Sequence, residues 1–454
     1  MREQRQVKVT VAATLLPRGV VLVLILAVLT GSLSALPRSS SSFFAVDSSA
    51  HKDAGVVSTA TREGRLAVFD DVWQTVQDRY YTDDFHGVDW LAQRSLFRPL
   101  AADAHGAREL YGELRRMLSS LQDAHTRVYA PEEKFDWQHP RFIGVGISLR
   151  EVEGRPTVFA VEPGSAAERA GIRGGDVIET IDGESASLLL DRRLRELPSS
   201  TPRAAHLMAL ASLLDGPAKT VMQIKWTEAN NREHQASLSR EWQERSFALR
   251  SHQLANGVVV VEVDAFTQIL AFEFVRTLRE RLAHARGIII DLRGNGGGDA
   301  TAMAEIASAF LPPATRLGQF TDRHGNVALA LETNALPVPG SDRIRKREVP
   351  VAILTSERTS SAAEILVAAL KPGAFVVGGQ TCGCVLAVRT RHALPDGGEL
   401  DVSELDYRTA KGERLEGQGI VPDETVSLTR KDLYSHRDRL LESAIAKLRS
   451  VSRR

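Results

Sequence analysis

Ser361 is the residue with the clearest capacity for covalent chemistry. It lies in Thr359-Ser360-Ser361-Ala362-Ala363-Glu364, just after the apolar run Val351-Ala352-Ile353-Leu354. A buried strand that turns through small residues into a helix exposes a hydroxyl at the helix N-terminus. There the free N–H groups and the helix dipole favour developing negative charge. A serine at this point can also simply cap the helix. A second backbone-rich element is Gly294-Asn295-Gly296-Gly297-Gly298, which follows the apolar strand Gly287 to Leu292. Glycines there let the main chain bend and approach a bound group closely. No Gly-Lys-Ser/Thr follows, so a phosphate-binding loop is excluded.

Five ordered motifs carry a resemblance to the C-terminal-processing (tail-specific) serine peptidases, covering roughly residues 65–448. They are Asp123-Ala124-His125-Thr126, the stretch from Phe142-Ile143-Gly144-Val145-Gly146 to Asp182-Gly183, the strand and glycine loop Gly287 to Gly298, the turn Ser361 to Glu364, and Gly417-Gln418-Gly419-Ile420-Val421-Pro422-Asp423. The order makes the match far more specific than any single motif. It implies an α/β, ClpP/crotonase-like peptidase core with an N-terminal helical domain and an inserted PDZ domain. It further implies Ser361 as nucleophile, with Gly297 (Gly296 as near alternative) and Ala362 donating N–H groups to an oxyanion hole.

The chain departs from the main branch of that family at the general base. Where relatives carry a lysine in Thr-x-Gly-Lys, this sequence reads Thr381-Cys382-Gly383-Cys384, and Val388 replaces a supporting Gln. A second, tricorn-like branch uses a His from the end of the N-terminal region and a Glu near the closing Gly-x-Gly. Those positions fall on His125 and Glu416. A Ser361–His125–Glu416 triad follows the usual logic of nucleophile, base and orienting carboxylate. A His also occurs there in lysine-type relatives, so a structural role for His125 stays open, and His392 is a second candidate. Cys384 is a poor base, because a thiol titrates near ~8.5 unless perturbed. Asp291 and Arg293 flank the glycine loop and are expected to hold its shape.

The elements that must position these groups can be read from periodicity. Leu66, Phe69, Val72, Trp73 and Val76 recur at helical spacing and are expected to be core. The PDZ-like module is expected over 140–228, with the strands Thr157–Val161 and Val177–Ile181 and an apolar helix Ala204–Leu214. By resemblance, Gly144, Val145, Gly146 and Ile147 form the loop that holds a peptide's C-terminal carboxylate, and the peptide adds as a strand. A lid or spacer is the alternative use of that fold. The catalytic core is expected over 245–430, from apolar β-branched strands alternating with helices. The helical domain is expected over 63–135 and a C-terminal helix over 431–454.

At 454 residues there is room for two or three domains, and 43% hydrophobic residues suit a packed core. Lys plus Arg and Asp plus Glu are both 57, so no global field attracts nucleic acid, and no basic patch with interleaved aromatics occurs. Arg2, Arg5, Lys8 and Arg18 precede the charge-free Gly19 to Leu36. Residues 1–36 thus suit a signal peptide or a membrane anchor, and either places the rest outside the cytoplasm. Residues 37–62 read as a flexible linker. The two cysteines, Cys382 and Cys384, either pair as a tight disulfide or sit as two small thiols, and they fall short of a zinc site. No motif implies a cofactor or metal. The leading expectation is an exported serine endopeptidase acting on proteins or peptides through their C-termini. The alternatives are a catalytically silent PDZ adaptor and, third, a small-molecule carrier.

Overall fold

The computed structural model describes residues 45–47, 57–133, 141–196, 199–244, 246–335, 341–345 and 348–451. The N-terminal basic and apolar segment and most of the linker expected over 37–62 lie outside these. Among the described residues no helix is long and apolar enough to cross a membrane.

The centre is a six-stranded sheet in the order Leu249–Gln253, Val258–Val263, Gly287–Asp291, Val351–Thr355, Ala374–Gly378 and Glu424–Thr425. All pairs are parallel except the first. Strands of a parallel sheet bury both faces, so alternate residues feed two cores. Val259, Val261, Ile288, Ile290, Ile353 and Val376 join the larger core, against the helices Gln268–Arg281, Ala300–Ser308 and Ala362–Leu370. Val258, Val260, Ile289, Ala352, Leu354 and Val377 face the other way, onto Leu440, Ala444 and Leu448 of the helix Arg439–Val451. Period two in the strands and period four in that helix explain the continuous apolar runs.

The C-terminal region is two helices rather than one. Arg430–Tyr434 and Arg439–Val451 are separated at His436, whose φ of 51° lies in the left-handed region and cannot continue a helix. The short first helix leaves the core and docks on the PDZ module. Tyr434 Oη donates to Asp176 Oδ1 at 2.8 Å, and Arg430 Nε to Gly175 O at 2.9 Å.

The PDZ module has a sheet in the order Ile147–Val152, Arg155–Val161, Val177–Ile181, Val221–Thr227 and Glu233–Ser239. The helix Pro202–Ser212 is capped by Thr201, whose Oγ1 accepts the Ala204 N–H, and it runs alongside the first of these strands. Three helices, Arg62–Arg79, Trp90–Asp103 and Ala107–Ser119, bury Phe69, Trp73 and Trp90 in a cluster that includes Leu386, Leu400 and Val402.

Leu400 and Val402 belong to a second six-stranded sheet, with the path Ala45–Asp47, Ala387–Ala393, Glu399–Thr409, Arg316–Thr321 and Val327–Glu332, and Arg127–Tyr129 added to Glu399–Thr409. This sheet is not anticipated from the sequence. Its long strand Glu399–Thr409 buries Asp401, Glu404 and Asp406. Each is matched by a basic side chain: Arg391 at 2.9 Å, His392 at 3.3 Å and Arg414 at 3.1 Å respectively. Such pairing makes burial of these carboxylates tolerable, and their polarity hides the strand from an apolar-pattern search.

Candidate active site

Ser361 begins the helix Ala362–Leu370, but its backbone differs from that of other capping residues in this protein. Thr61, Thr201, Thr267 and Thr429 cap their helices from extended backbone, whereas Ser361 has φ 55° and ψ −127°. A non-glycine residue in that sparsely populated region is held there by its surroundings. Its N–H donates to Cys384 O at 2.8 Å and to Glu364 Oε2 at 3.2 Å. This strained turn presents the serine, which is partly exposed, while Ala362 behind it is buried.

The glycine loop lies directly against this turn. A Cβ on Gly297 would come within 2.7 Å of Ser361 Cβ and 3.0 Å of Ala362 N, and its φ is +97°. Asn295, fully buried, braces the loop: its Nδ2 donates to Val263 O at 3.0 Å and its Oδ1 accepts the Gly297 N–H at 2.8 Å. Thr359 Oγ1 donates to Leu292 O and Ser356 Oγ to Arg293 O, at 2.8 and 2.7 Å, zipping loop to turn. The Arg293 guanidinium spans Asp291 and Asp438, fixing the strand end from which the loop springs.

Glu364 is a buried residue of this turn that sequence reasoning does not single out. Its carboxyl is fully buried and accepts from Thr381 Oγ1, Gly383 N (2.8 Å), Cys384 N (2.9 Å) and Ser361 N. Burial raises its pKa against those four donors. The Ser-x-x-Glu spacing of Ser361 and Glu364 is the signal that could have found it. Here the Glu ties the nucleophile turn to a loop about twenty residues downstream.

That loop holds a Cys382–Cys384 disulfide, with no free cysteine in the described residues. The bridge packs with Ala124 and Ala204. Ala124 immediately precedes His125, so the histidine loop packs against the disulfide. Asp123 Oδ1 accepts the His125 N–H at 2.8 Å and Asp123 Oδ2 accepts from Thr126 Oγ1, which fixes the backbone. The ring itself is held by packing: Nδ1 is buried without a hydrogen-bond partner. Burial lowers the His125 pKa, with Arg127 acting the same way and Asp123 and Asp401 opposing.

Glu416 is also buried. Its Oε2 accepts the N–H groups of Val385 (2.5 Å) and Leu386 (3.1 Å), and its Oε1 is buried without a partner. Its hydrogen bonds therefore run to the segment between the disulfide loop and the strand Ala387–Ala393, with the Ser200 side chain also favouring its charged form, and the carboxylates acting on the His125 ring are Asp123 and Asp401. His392 is paired with Glu404 in the second sheet.

Burial, helped by the charge of Asp123, pushes the Glu416 carboxyl up to about 7 from an ordinary 4.5. The folded state therefore keeps a proton that the unfolded chain gives up. The associated stability is fully present below the unfolded pKa and is lost as pH rises through about 7, at most about 3 kcal/mol. Glu416→Gln should stabilise the protein by roughly 1–3 kcal/mol near pH ~8 relative to wild type, and by little near pH ~5. Urea unfolding at the two pH values checks this. An equal effect at both pH values would contradict the buried titration.

The segment 144–147 of the PDZ module is anchored through its carbonyls: Ala167 N–H donates to Val145 O at 3.3 Å and Glu162 N–H to Gly146 O at 2.9 Å. Beside it, a cleft of about 980 Å³ runs between the strand Ile147–Val152 and the helix Pro202–Ser212 and opens on the core at Gly294 and Arg358. Arg150 crosses it to Glu357 at 3.0 Å, and Arg203 donates to Thr381 O and Gln418 O.

A strained serine at a helix start, a glycine loop against it and a tethered PDZ module define a serine-type peptidase core. Comparison with known proteins agrees. Residues 257–426 match peptidase family S41, 62–119 the tricorn protease C1 domain and 157–193 the PDZ domain. The chain is 26% identical over 364 residues to a carboxyl-terminal-processing protease of Synechocystis sp., spanning 78% of this chain and 79% of that one. It is 26% identical over 333 residues to the carboxy-terminal processing protease CtpB of Bacillus subtilis, spanning 72% and 64%. The same fold occurs in a photosystem II D1 C-terminal processing protease (TM-score 0.53, 22% identity, covering 80% of this chain and 93% of that one). It occurs too in mature CPAF (TM-score 0.65, 13% identity, covering 85% and 98%). The chain thus carries a peptidase family S41 domain and a PDZ domain, and over most of its length it is similar to C-terminal-processing proteases.

Proposed function

We propose that this protein is an endopeptidase that cleaves protein or peptide chains through Ser361 with His125 as general base, recognising their C-termini with its PDZ domain. The observation that carries the reading is the strained Ser361 turn, packed against Gly297 and bonded to a disulfide loop that clusters with Ala124, the neighbour of His125. In the first step Ser361 Oγ attacks the scissile carbonyl carbon as its proton passes to the neutral imidazole of His125. The carbonyl oxygen, now an oxyanion, takes the Ala362 N–H and a glycine-loop N–H. Because Asn295 Oδ1 holds the Gly297 N–H, using that donor means exchanging acceptors. The imidazolium returns its proton to the leaving amine, and water repeats the sequence on the acyl-enzyme. The charges of Asp123 and Asp401 favour the imidazolium, and Glu416, bonded to Val385 and Leu386, is proposed to support the segment beside the ring.

Substrate entry follows the PDZ cleft. A peptide adding to the edge of Ile147–Val152 places its terminal carboxylate at Gly144, Val145, Gly146 and Ile147, whose carbonyls are partly committed to anchoring the loop. The purified protein should bind a peptide with a free C-terminus at least about tenfold more tightly than its amidated form, since a buried carboxylate contact is worth ~1.5–3 kcal/mol. Titration by fluorescence anisotropy measures the ratio. Equal affinity would leave the module as a gate without tail recognition. Export is part of the same proposal, supported by the four basic residues ahead of the charge-free Gly19–Leu36.

A further inference from the structure

The Cys382–Cys384 bridge closes a loop with one residue between the cysteines, so it removes little entropy from the unfolded chain and its role must be local. Its backbone is the meeting point of the site. Cys384 O accepts the Ser361 N–H at 2.8 Å, and Cys382 N donates to Thr359 O at 2.9 Å. The N–H groups of Gly383 and Cys384 bind Glu364. Gly383 O accepts the Gly417 N–H at 2.9 Å, beside Glu416, and Cys382 O accepts Thr201 Oγ1 at 2.7 Å, at the cap of the PDZ helix. The side chains lie against Ala124, next to His125, and Ala204, with Cys382 6% and Cys384 2% exposed. Gly383 has φ +74°, and a Cβ on it would meet Thr201 Cγ2 at 2.8 Å, so the loop has no slack on that side.

We infer that Cys382 and Cys384 form a thiol–disulfide modification site that sets the competence of the nucleophile: oxidised, the loop holds Ser361 and the His125 segment in register, and reduction by a dithiol releases them. In the step, a dithiol supplies two electrons. The Sγ–Sγ bond breaks, each sulfur takes one proton to become a thiol, and the dithiol closes to its own cyclic disulfide. Bonded sulfurs about 2.05 Å apart must then separate to contact distance, roughly 3.5 Å. In a close-packed setting the motion is transmitted to neighbours. Those neighbours are Ala124 and Ala204, and the motion also reaches the Cys384 carbonyl that holds Ser361.

The test uses the full chain and two readouts. Hydrogen exchange is followed at the amides of 359–364 and 381–386 in the oxidised protein, after dithiothreitol, and after reoxidation, with alkylation counting the thiols. Reduction should speed exchange at Ser361 and Cys384 by about tenfold or more, and lower kcat for peptide cleavage by about 10- to 100-fold with a smaller change in KM. Reoxidation should reverse both. A Cys382→Ser/Cys384→Ser double variant should match the reduced protein in both readouts and ignore dithiothreitol. Three results would overturn the inference: unchanged exchange with two thiols counted, unchanged kcat in a reduced enzyme, or a bridge that never yields alkylatable thiols in the folded protein. The kcat readout rests on the peptidase reading and the exchange readout does not. Redox-dependent exchange in a protein with no cleavage at all would uphold the inference and refute the peptidase.

Discussion

Ser361→Ala and His125→Ala should each lower kcat for cleavage of an unfolded protein by on the order of 10⁶, and the double variant should be no worse than either single one. Non-additivity is expected because the serine is a useful nucleophile only while the imidazole takes its proton. Both variants should stay folded. The strained turn at Ser361 is held by backbone bonds to Cys384 and Glu364 that alanine retains, and the His125 ring contributes no Nδ1 hydrogen bond to lose. Burial favours neutral imidazole, so His125 is in its basic form at neutral pH. The rising limb of kcat/KM should therefore have its midpoint below ~6.5, and no limb should appear in the lysine range. Initial rates with a quenched fluorogenic substrate measure both effects. Full activity in His125→Ala would move the base elsewhere.

The second large effect is at Gly297. Gly297→Ala puts a methyl group within 2.7 Å of Ser361 Cβ and 2.9 Å of Ser360 O, at a φ of +97° that alanine resists. Backbone atoms occupy that space, so the loop must retreat from the nucleophile and take its N–H with it. Losing one oxyanion donor costs about 10²–10³ in kcat. The PDZ cleft is untouched, so binding of a free-tailed peptide should stay within about twofold of wild type, since distant sites are usually independent. A Gly297→Ala enzyme with normal kcat would remove the glycine loop from the oxyanion role.

The central sheet, the PDZ module and the Ser361 turn are legible in the sequence because each leaves a local trace. Val258–Val263 and Val351–Thr355 are apolar runs, and Gly144, Gly297 and Gly383 mark places where the backbone turns or is approached closely. The second sheet is not legible, since Glu399–Thr409 buries carboxylates whose basic partners come from other segments. Glu364 escapes for the same reason: what makes it important is contact with Thr381, Gly383 and Cys384, which sequence separation conceals. The break at His436 is hidden too, because Leu433 continues the apolar spacing of Leu440, Leu441 and Ala444 across a turn.

The most direct test of Ser361 as a nucleophile served by His125 is its reaction with a fluorophosphonate, followed by intact mass. A single adduct on Ser361 is expected in wild type, formed at a rate that rises with pH through a limb below ~6.5 and falls by several orders of magnitude in His125→Ala. No adduct in wild type, together with labelling created by Cys384→Lys and Val388→Gln, would show a silenced enzyme whose surviving activity is peptide binding. Undiminished labelling in His125→Ala would contradict the assignment of the base outright.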